Sequence, residues 1–418
     1  MMHWGAKSVL LGTILCGLCL SASANTTIDE KTAANAAPKV SANLPGIEAP
    51  VPTVILQPPA VAGKPLQFTL LLPLQSTSLG NAANAVRAGF LAAYEREKSG
   101  IAVNVVDSGD TAEEVVSSYT NALAASDILI GPLTRGSAAA IAQSGAVRKP
   151  TISLTQTDVD SAASSQLPPL MLAMGLSVED EARQVAGWIA SLKPAGKVYV
   201  VSTSTSWQRR AAKAFAARGQ ALGLETVVVE LGSTSGFLSA ADVAQFEKQQ
   251  AEKTAAVFVA LDDEQTTQVR AAIGASTPIY GTAQLNPLAL VDWAGAKRTP
   301  ELNGVHLVDI PWQLQADHPA VMIYPHLEVA ADQKRSVDLE RLYALGIDAF
   351  RVARQVATQR KQFELDGVTG KLTVSFGKDR ARFERIEPVA IYRNGAVTPL
   401  TSEPAAIAPP PVTKPLDH

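Results

Sequence analysis

In the first part of the chain, stretches with strand-like spacing of apolar residues alternate with stretches that have helix-like spacing. Near-continuous apolar runs have the length and content of strands that are buried on both faces; they are residues 66–72, 101–106, 127–130 and 150–154. Between these runs, apolar residues recur at the spacing of one helix face. The helices predicted in this way are one that starts near Leu79 and is ended by Gly100, residues 112–125, and a run that starts near Ser137. Strands that alternate with helices of this length predict a parallel sheet with right-handed crossovers.

The alternation starts again after a polar, proline-terminated stretch at residues 157–169. Ser177 is placed to cap a helix, with Asp180 three residues later as a short acidic variant of the capping box. The strands predicted in this second series are residues 197–201, 226–231, 255–261 and 278–280. The helices predicted beside them are residues 177–192, 206–222, 240–250 and 264–273. The second series predicts a second α/β lobe.

The last part of the pattern differs from both series. A strand at residues 304–310 and a long amphipathic helix at about 338–359 lead to a Gly-rich turn and to two further strands, residues 371–375 and 388–392. Asn394-Gly395 predicts a two-residue hairpin turn. The order of elements indicates that this segment returns to complete the first lobe, and a simple two-domain chain is the alternative.

The predicted fold class is therefore α/β, with two doubly wound parallel-sheet lobes and a cleft between them. We predict this division of the chain: signal peptide 1–24; disordered Pro/Ala-rich linker 25–63; lobe one 64–174 plus about 313–400; lobe two 175–312; Pro-rich tail 401–418.

The amino terminus has the features of an export signal. His3 and Lys7 precede an apolar run at residues 9–20, and Ala22-Ser23-Ala24 supplies small residues for cleavage. The run is too short for a membrane span, which needs roughly 20 apolar residues. Cys16 and Cys19 both lie inside the run and each follows a leucine, so neither matches a lipid-attachment site. We expect an exported bacterial protein of the periplasm whose mature chain has no thiol.

Composition narrows the class of function. A chain of 418 residues is too long for one core, and its 47% apolar content is ample for two. Aromatic residues make up only 5%, which favours cores of Ala, Val and Leu. The formal charge is −3 without a long basic run, so a nucleic-acid partner is not expected.

Catalytic signatures conflict with their context. Residues 375–378 have the Ser-x-x-Lys spacing of penicillin-recognising enzymes, but that serine should open a helix, whereas Ser375 ends a predicted strand. No GxxxxGK or GxGxxG sequence occurs, so nucleotide binding lacks support. His318 and His326 beside Asp317 match no helix-borne ligand pair, and surface histidines are the favoured interpretation over a metal site. We expect a protein that is not an enzyme and that uses no cofactor or metal.

Residues 127–142 (DILIGPLTRGSAAAIA) combine a buried strand, a Gly-Pro break and a helix start. Ligands of open α/β folds bind at such mouths, where helix N–H groups point outward; an ordinary βα turn is the alternative interpretation. Polar side chains follow other strands of both lobes in the same way, although such residues are common in loops. The candidates for facing the cleft or a ligand are Ser76, Thr134, Thr155 and Thr157 in lobe one, and Trp207, Asp262 and Gln284 in lobe two.

These features resemble the type I periplasmic-binding-protein superfamily, which includes branched-chain amino-acid binders. The resemblance rests on the signal peptide, the two lobes, IGPLTRGSAAAIA at 130–142 and GVTGKLTVSFG at 367–377. The superfamily carries a Gly-Pro with Ser or Thr at the mouth of strand three, which Gly131-Pro132 and Thr134 match. It also uses small or hydroxyl residues after strand four to hold a ligand carboxylate, a position that Thr155 and Thr157 match.

A narrower resemblance is carried by four runs: VDIPW at 308–312, RLYALGIDAFR at 341–351, GVTGKL at 367–372 and YRNG at 392–395. These runs are similar to the LppC/LpoA family, penicillin-binding-protein activators whose carboxyl-terminal domain has this fold. The resemblance covers roughly residues 66–400. LYALGIDAFR, at 342–351, is its most specific part.

The resemblance implies a non-enzymatic periplasmic regulator that activates a bifunctional class A penicillin-binding protein in peptidoglycan synthesis. It would act allosterically, by shifting its partner between less and more active states. A small ligand between the lobes is compatible with this role. The alternative is a solute-binding receptor for an amino-acid or amide ABC transporter, with Trp207 and Asp262 against the ligand.

Two departures from the family pattern bear on where the protein acts. Members known to activate such a synthase are outer-membrane lipoproteins with an amino-terminal helical repeat domain. This sequence has neither a clear lipid-attachment cysteine nor that domain, only the segment 25–63. We therefore expect a periplasmic protein and leave its association with the outer membrane and an identical partner open.

Overall fold

A computed structural model describes residues 64–156, 167–250, 253–295, 298–329, 335–358, 360–376 and 380–400. The predicted signal peptide, linker and tail (residues 1–24, 25–63 and 401–418) lie outside the described residues, as does Thr157. Among the helices that the structure describes, none has the length combined with the apolar content that a bilayer crossing requires.

Lobe one contains a parallel sheet with the strand order β2-β1-β3-β4-β5. Its strands are β1 (Leu66–Leu72), β2 (Ile101–Asp107), β3 (Ile128–Ile130), β4 (Thr151–Ser153) and β5 (Met171–Ala173). The helices between them are α1 (Gly80–Glu97), α2 (Ala112–Leu123) and α3 (Arg135–Gln143). β1 lies between two strands, and residues 68–72 are buried because helices cover both faces of the sheet. The predicted parallel α/β arrangement is confirmed.

Lobe two repeats this arrangement. Its helices are α4 (Val178–Ser191), α5 (Ser206–Ala221), α6 (Ala240–Gln250) and α7 (Asp263–Ile273). Its strands are β6 (Lys197–Ser202), β7 (Thr226–Glu230), the short pair β8 (Ser233–Thr234) and β9 (Phe237–Leu238), β10 (Thr254–Val259), β11 (Ile279–Gly281) and β12 (His306–Val308). The predicted cap of α4 is confirmed, since the Ser177 hydroxyl accepts the Asp180 N–H at 3.2 Å.

The remaining chain contributes to both lobes. Its elements are α8 (Pro311–Leu314), α9 (Val337–Ala357), β13 (Gln362–Asp366), β14 (Lys371–Phe376), β15 (Ala381–Ile386), β16 (Val389–Arg393) and β17 (Ala396–Pro399). α9 packs along α1, and the Phe350 ring meets those of Phe68 and Phe90 at centroid distances of 6.0 and 5.3 Å. β13, β14 and β15 form an antiparallel sheet whose apolar side chains join the same core.

The last hairpin differs from the predicted division, which assigned residues 313–400 as a whole to lobe one. β16 pairs antiparallel with β12, with Leu307 opposite Ala390, so β16 and β17 extend the sheet of lobe two. Ala390 and Tyr392 are buried in the core of lobe two, which explains why the hairpin docks there. The predicted hairpin turn is confirmed, because Asn394 and Gly395 have the positive φ values that a two-residue turn requires.

The chain passes between the lobes three times, at residues 174–177, 309–310 and 387–388. The second and third crossovers are bonded to each other, because the Asp309 N–H donates to the Pro388 carbonyl oxygen at 3.3 Å. The elements that flank them carry the buried charges described below.

Candidate functional site

The mouth of lobe one is built on the turn after β3. Gly131 has a φ of 120°, and a Cβ there would lie 2.1 Å from the Leu71 carbonyl oxygen, so the close turn requires glycine. Thr134 is the N-cap of α3: its hydroxyl accepts the Ser137 N–H at 3.1 Å and donates to the Ser137 hydroxyl at 2.7 Å. The hydroxyl proposed to meet a ligand is therefore bonded within its own helix start.

The other lobe-one candidates also bond locally. The Ser76 hydroxyl accepts the Leu79 N–H at 3.2 Å. The Thr155 hydroxyl donates to the Gln156 carbonyl oxygen at 3.3 Å. Hydroxyls that satisfy nearby backbone groups in this way are common in turns. Both residues lie where the sequence placed them, after the carboxyl ends of strands, and they remain candidates.

The lobe-two candidates occupy equivalent positions. Asp262 caps α7 by accepting the Gln265 N–H at 2.8 Å, and burial raises the pKa of its carboxyl. Trp207 is half-buried in the first turn of α5, and Gln284 lies in a single 3-10 turn, Ala283–Leu285. Within the described ranges, no hydrogen bond links one candidate to another.

An ionic bridge that no sequence motif indicates crosses the mouth. Arg135, in the first turn of α3, donates from Nη2 to both carboxylate oxygens of Glu179 on α4 at 2.9 Å. Arg210 on α5 donates from Nε to the same carboxylate at 2.7 Å. Burial works to raise the pKa of Glu179, but the two guanidinium groups outweigh it and hold the pKa below its ordinary value. Lobe one is thus tied to lobe two where a cleft ligand would enter.

A second network lies at the crossovers and centres on Arg341 of α9. Its Nη2 lies 2.8 Å from Oδ2 of Asp309, and its Nε lies 3.2 Å from Oδ1. The same Nη2 donates to the carbonyl oxygens of Ala283 (2.9 Å) and Asn286 (3.0 Å) in lobe two. Burial works to lower the pKa of Arg341, but the Asp309 carboxylate raises it above its ordinary value. One buried side chain thereby joins a lobe-one helix, a crossover and a lobe-two loop.

Two buried acids complete this network. Glu181 of α4 accepts the Ala283 N–H at 2.9 Å, and burial raises its pKa to about 8. Glu387 lies in the third crossover, and burial together with the charge of Glu181 raises its pKa well above the ordinary range. Its Oε2 is buried and, among the described residues, has no hydrogen-bond partner. Because two carboxylates cannot both ionise cheaply in such a place, at least one of them holds a proton near neutral pH.

The remaining crossover is tied by Arg385 of β15. Its guanidinium donates to the carbonyl oxygens of Gly175 (2.8 Å) and Met174 (2.9 Å) and to the Thr369 hydroxyl (3.1 Å). Burial lowers the pKa of Arg385 below its ordinary value. In the third crossover, the Glu387 carbonyl oxygen accepts from the Gln184 side-chain amide at 2.7 Å, and the Glu387 N–H donates to the Gln184 amide oxygen at 3.0 Å. All three passages of the chain between the lobes are therefore held by polar bonds.

The sequence runs that carry the narrower resemblance converge here. Asp309 comes from the run 308–312 and Arg341 from the run 341–351. Asp348, also in the second run, accepts the Thr369 N–H (2.8 Å) and hydroxyl (2.7 Å) from the run 367–372. Charged residues on the apolar face of an amphipathic helix were the signal in the sequence that could have identified Arg341 and Asp348 as buried network members.

Two α/β lobes, three crossovers and a mouth formed by strand ends define a type I periplasmic-binding-protein-like protein. The carboxyl-terminal domain of LpoA from Haemophilus influenzae, described as a regulator of PBP1A, has the same fold: the TM-score is 0.64 at 23% identity, over 80% of this chain and 100% of that domain.

The family model described as "LppC putative lipoprotein" matches residues 60–387, so the chain belongs to the LppC family. A solved structure from Chromobacterium violaceum, described as "a putative branched-chain amino acid ABC transporter", is 35% identical with a TM-score of 0.62, over 78% of this chain and all of that one. "Penicillin-binding protein activator LpoA" of Yersinia pseudotuberculosis is 34% identical over 109 residues, which are 26% of this chain and 15% of that protein. The matched part is therefore a small fraction of this curated relative.

Proposed function

We propose that this protein is a non-enzymatic periplasmic regulator that activates a bifunctional class A penicillin-binding protein in peptidoglycan synthesis. Membership of the LppC family supports this role. The observation that carries it is the bridge of Arg135 to Glu179, because it fills the mouth with the protein's own charges. A receptor that closes on a solute would need those groups, or the space between them, for its ligand.

The mechanism follows from the buried crossovers. Since Arg341 and Arg385 tie the passages between the lobes, the two lobes are held as one body that presents a fixed surface. Such a body can activate an enzyme only by binding its more active state more tightly than its less active state. We place the encounter in the periplasm, which the chain would reach through the predicted cleavable signal peptide.

Glycan polymerisation tests the proposal. The purified class A synthase from the same genome is assayed on lipid-linked substrate with and without the mature protein, and an unrelated binding protein of this fold serves as the control. We expect a higher polymerisation rate with this protein and the basal rate with the control. An unchanged rate, together with no co-purification of the two proteins, would overturn the proposal.

A solute receptor is the second candidate, favoured by the 35% identity to the Chromobacterium violaceum structure. Thermal unfolding of the mature protein with each of the twenty common amino acids separates the two. A ligand present at 100 times its Kd adds about 2.7 kcal/mol to the free energy of unfolding, which raises the Tm by several degrees. The regulator role predicts no such rise, whereas a rise with one amino acid would favour the receptor.

A further inference from the structure

A cavity of about 670 Å³ opens on lobe two. It lies between the first turns of α7, the segments 286–290 and 298–301, and the strand pair β16–β17. Its volume falls within the range of about 300–1,000 Å³ that is usual for ligand pockets. We call it the edge groove and define it by Phe237, Asp263, Glu264, Glu301, Gln313 and Val397.

One wall of the edge groove is a free strand edge. β17 is the last strand of its sheet. The Leu400 N–H bonds to the Val389 carbonyl oxygen, which fixes the register so that the Val397 N–H and carbonyl point away from β16. Pro399 has no N–H, so the edge can pair with only a short stretch of another chain. An extended peptide is the ligand that pairs with such an edge.

The rim of the edge groove is acidic. Asp263, Glu264 and Glu301 line it, and among the lining residues that the structure describes, Arg298 is the basic one. The Arg298 guanidinium is already bonded to the Asn394 carbonyl oxygen at 2.9 Å. Burial, followed by the charges of Asp262 and Glu264, raises the pKa of Asp263 above its ordinary value. A positively charged group would relieve this crowding of acids.

The groove also has an apolar surface and a side-chain N–H group that is available to donate a hydrogen bond. The Phe237 side chain at its rim is 67% exposed, and Leu288 and Leu290 line the groove. Gln313 is only 3% exposed, and its Nε2 has no hydrogen-bond partner among the described residues. A buried amide without a partner costs free energy that an incoming carbonyl oxygen would recover.

We propose that the edge groove binds an extended segment of the partner synthase in which a lysine or arginine stands beside an apolar residue. The apolar side chain would pack against Phe237 and the cation would lie against Glu264 and Glu301. The segment's backbone would pair with Val397. This inference rests on the proposed function and names the contact surface for it.

Charge reversal in the groove tests the inference. The affinity of the purified synthase is measured for the wild-type protein and for Glu264→Lys/Glu301→Lys, in which both substituted residues are exposed. We expect Kd to rise about tenfold or more, because a like charge would face the segment's cation. The matched control is Glu113→Lys/Glu225→Lys: it changes the net charge equally, and Glu113, like Glu264, is in the first turn of a helix. We expect its Kd within about twofold of wild type.

The outcomes separate the two proposals. If the wild-type protein binds the synthase and the groove variant binds equally well, the edge groove is not the contact surface while the proposed function stands. Equal weakening by both double variants would also overturn the edge groove, since only net charge would then matter. If the wild-type protein does not bind at all, the proposed function fails, and with it this inference.

Photo-crosslinking gives a readout that does not depend on charge. p-Benzoylphenylalanine is placed at Phe237, or as a control at Leu192, whose side chain is exposed on α4's carboxyl-terminal cap. We expect an adduct from position 237 that maps to one synthase peptide containing a lysine or arginine, and none from position 192. A complex that forms without an adduct at 237 would overturn the inference.

Discussion

Arg341 and Asp309 form a two-point ion pair in the interior of the molecule, with N–O distances of 2.8 and 3.2 Å. Arg341 lies on the helix that packs against α1 of lobe one, and Asp309 lies where the chain leaves the sheet of lobe two. Asp309 is fully buried and Arg341 is only 7% exposed, so the Asp309 carboxylate depends on the guanidinium for compensation. Arg341 also lies 3.3 Å from the exposed carboxylate of Asp338. The pair is therefore one of the contacts through which the stability of the two lobes is coupled.

Removing one partner of this pair should destabilise the whole fold. We expect Arg341→Ala to lower the free energy of unfolding by about 3–5 kcal/mol, because it leaves the Asp309 carboxylate buried and unpaired. Chemical denaturation monitored by circular dichroism measures the change. The control is Arg209→Ala, which breaks the exposed pair with Glu230 and should cost about 0–1 kcal/mol. Equal losses in the two variants would contradict the buried role of Arg341.

The buried acid Glu181 should make stability fall as the pH rises. Its folded pKa of about 8 lies above the unfolded value of about 4.3. The folded state therefore binds more protons between these values, and stability declines there by up to about 1.4 kcal/mol per pH unit. We expect Glu181→Gln, which mimics the protonated acid and can still accept the Ala283 N–H, to remove much of this decline. Denaturation midpoints at pH 5, 6, 7 and 8 measure it.

Glu179 is the control for that experiment, because its pKa is shifted in the opposite direction to that of Glu181. Its pKa is held below the ordinary value by Arg210 and Arg135, so its contribution is present above the unfolded pKa and is lost as the pH falls. Glu179→Gln should therefore weaken the protein at pH 7 and have less effect near pH 4. If both variants change stability in the same direction at pH 8, the assignment of a proton to the Glu181 region is wrong.

Much of the fold could be predicted because its signals are local. The run 66–72 is apolar at nearly every position, which is typical of a central parallel strand, and it forms β1. Asn394-Gly395 specifies a turn through its own backbone preferences. The sheet that this hairpin joins could not be predicted in this way. The choice between the two lobes depends on which sheet edge is uncovered in the folded protein. β16 accordingly joins lobe two.

The candidate site was harder to predict for a physical reason. A residue that follows a strand in the sequence is expected at the carboxyl end of that strand. Thr134 lies there, at the start of α3, as predicted. Whether its hydroxyl is free depends on hydrogen bonds within the turn, which strand and helix periods do not encode. Arg135 and Glu179 are 44 residues apart in the chain, so their pairing follows only from how the two lobes are placed.

Close packing of α1 against α9 should make two glycines irreplaceable. A Cβ on Gly89 would lie 1.9 Å from the Tyr343 carbonyl oxygen, and one on Gly346 would lie 2.1 Å from the Val86 carbonyl oxygen. We expect Gly89→Ala to lower the free energy of unfolding by about 1–3 kcal/mol or more, because the backbones must separate. The control is Gly136→Ala in α3, where nothing lies within 4 Å, and it should stabilise by about 0.4–1 kcal/mol. Matching effects would contradict the close approach.

Substitution of Thr134 distinguishes a regulatory surface from a solute site. Its hydroxyl caps α3, so Thr134→Ala should lower the free energy of unfolding by about 1 kcal/mol and Thr134→Ser should have little effect. For a regulator that acts through its outer surface, both variants should stimulate glycan polymerisation within about twofold of wild type at a temperature where each is folded. A solute receptor would instead lose affinity for its ligand in Thr134→Ala and retain it in Thr134→Ser. Loss of stimulation by the alanine variant, with its unfolding temperature little changed, would assign the mouth a direct part in activation.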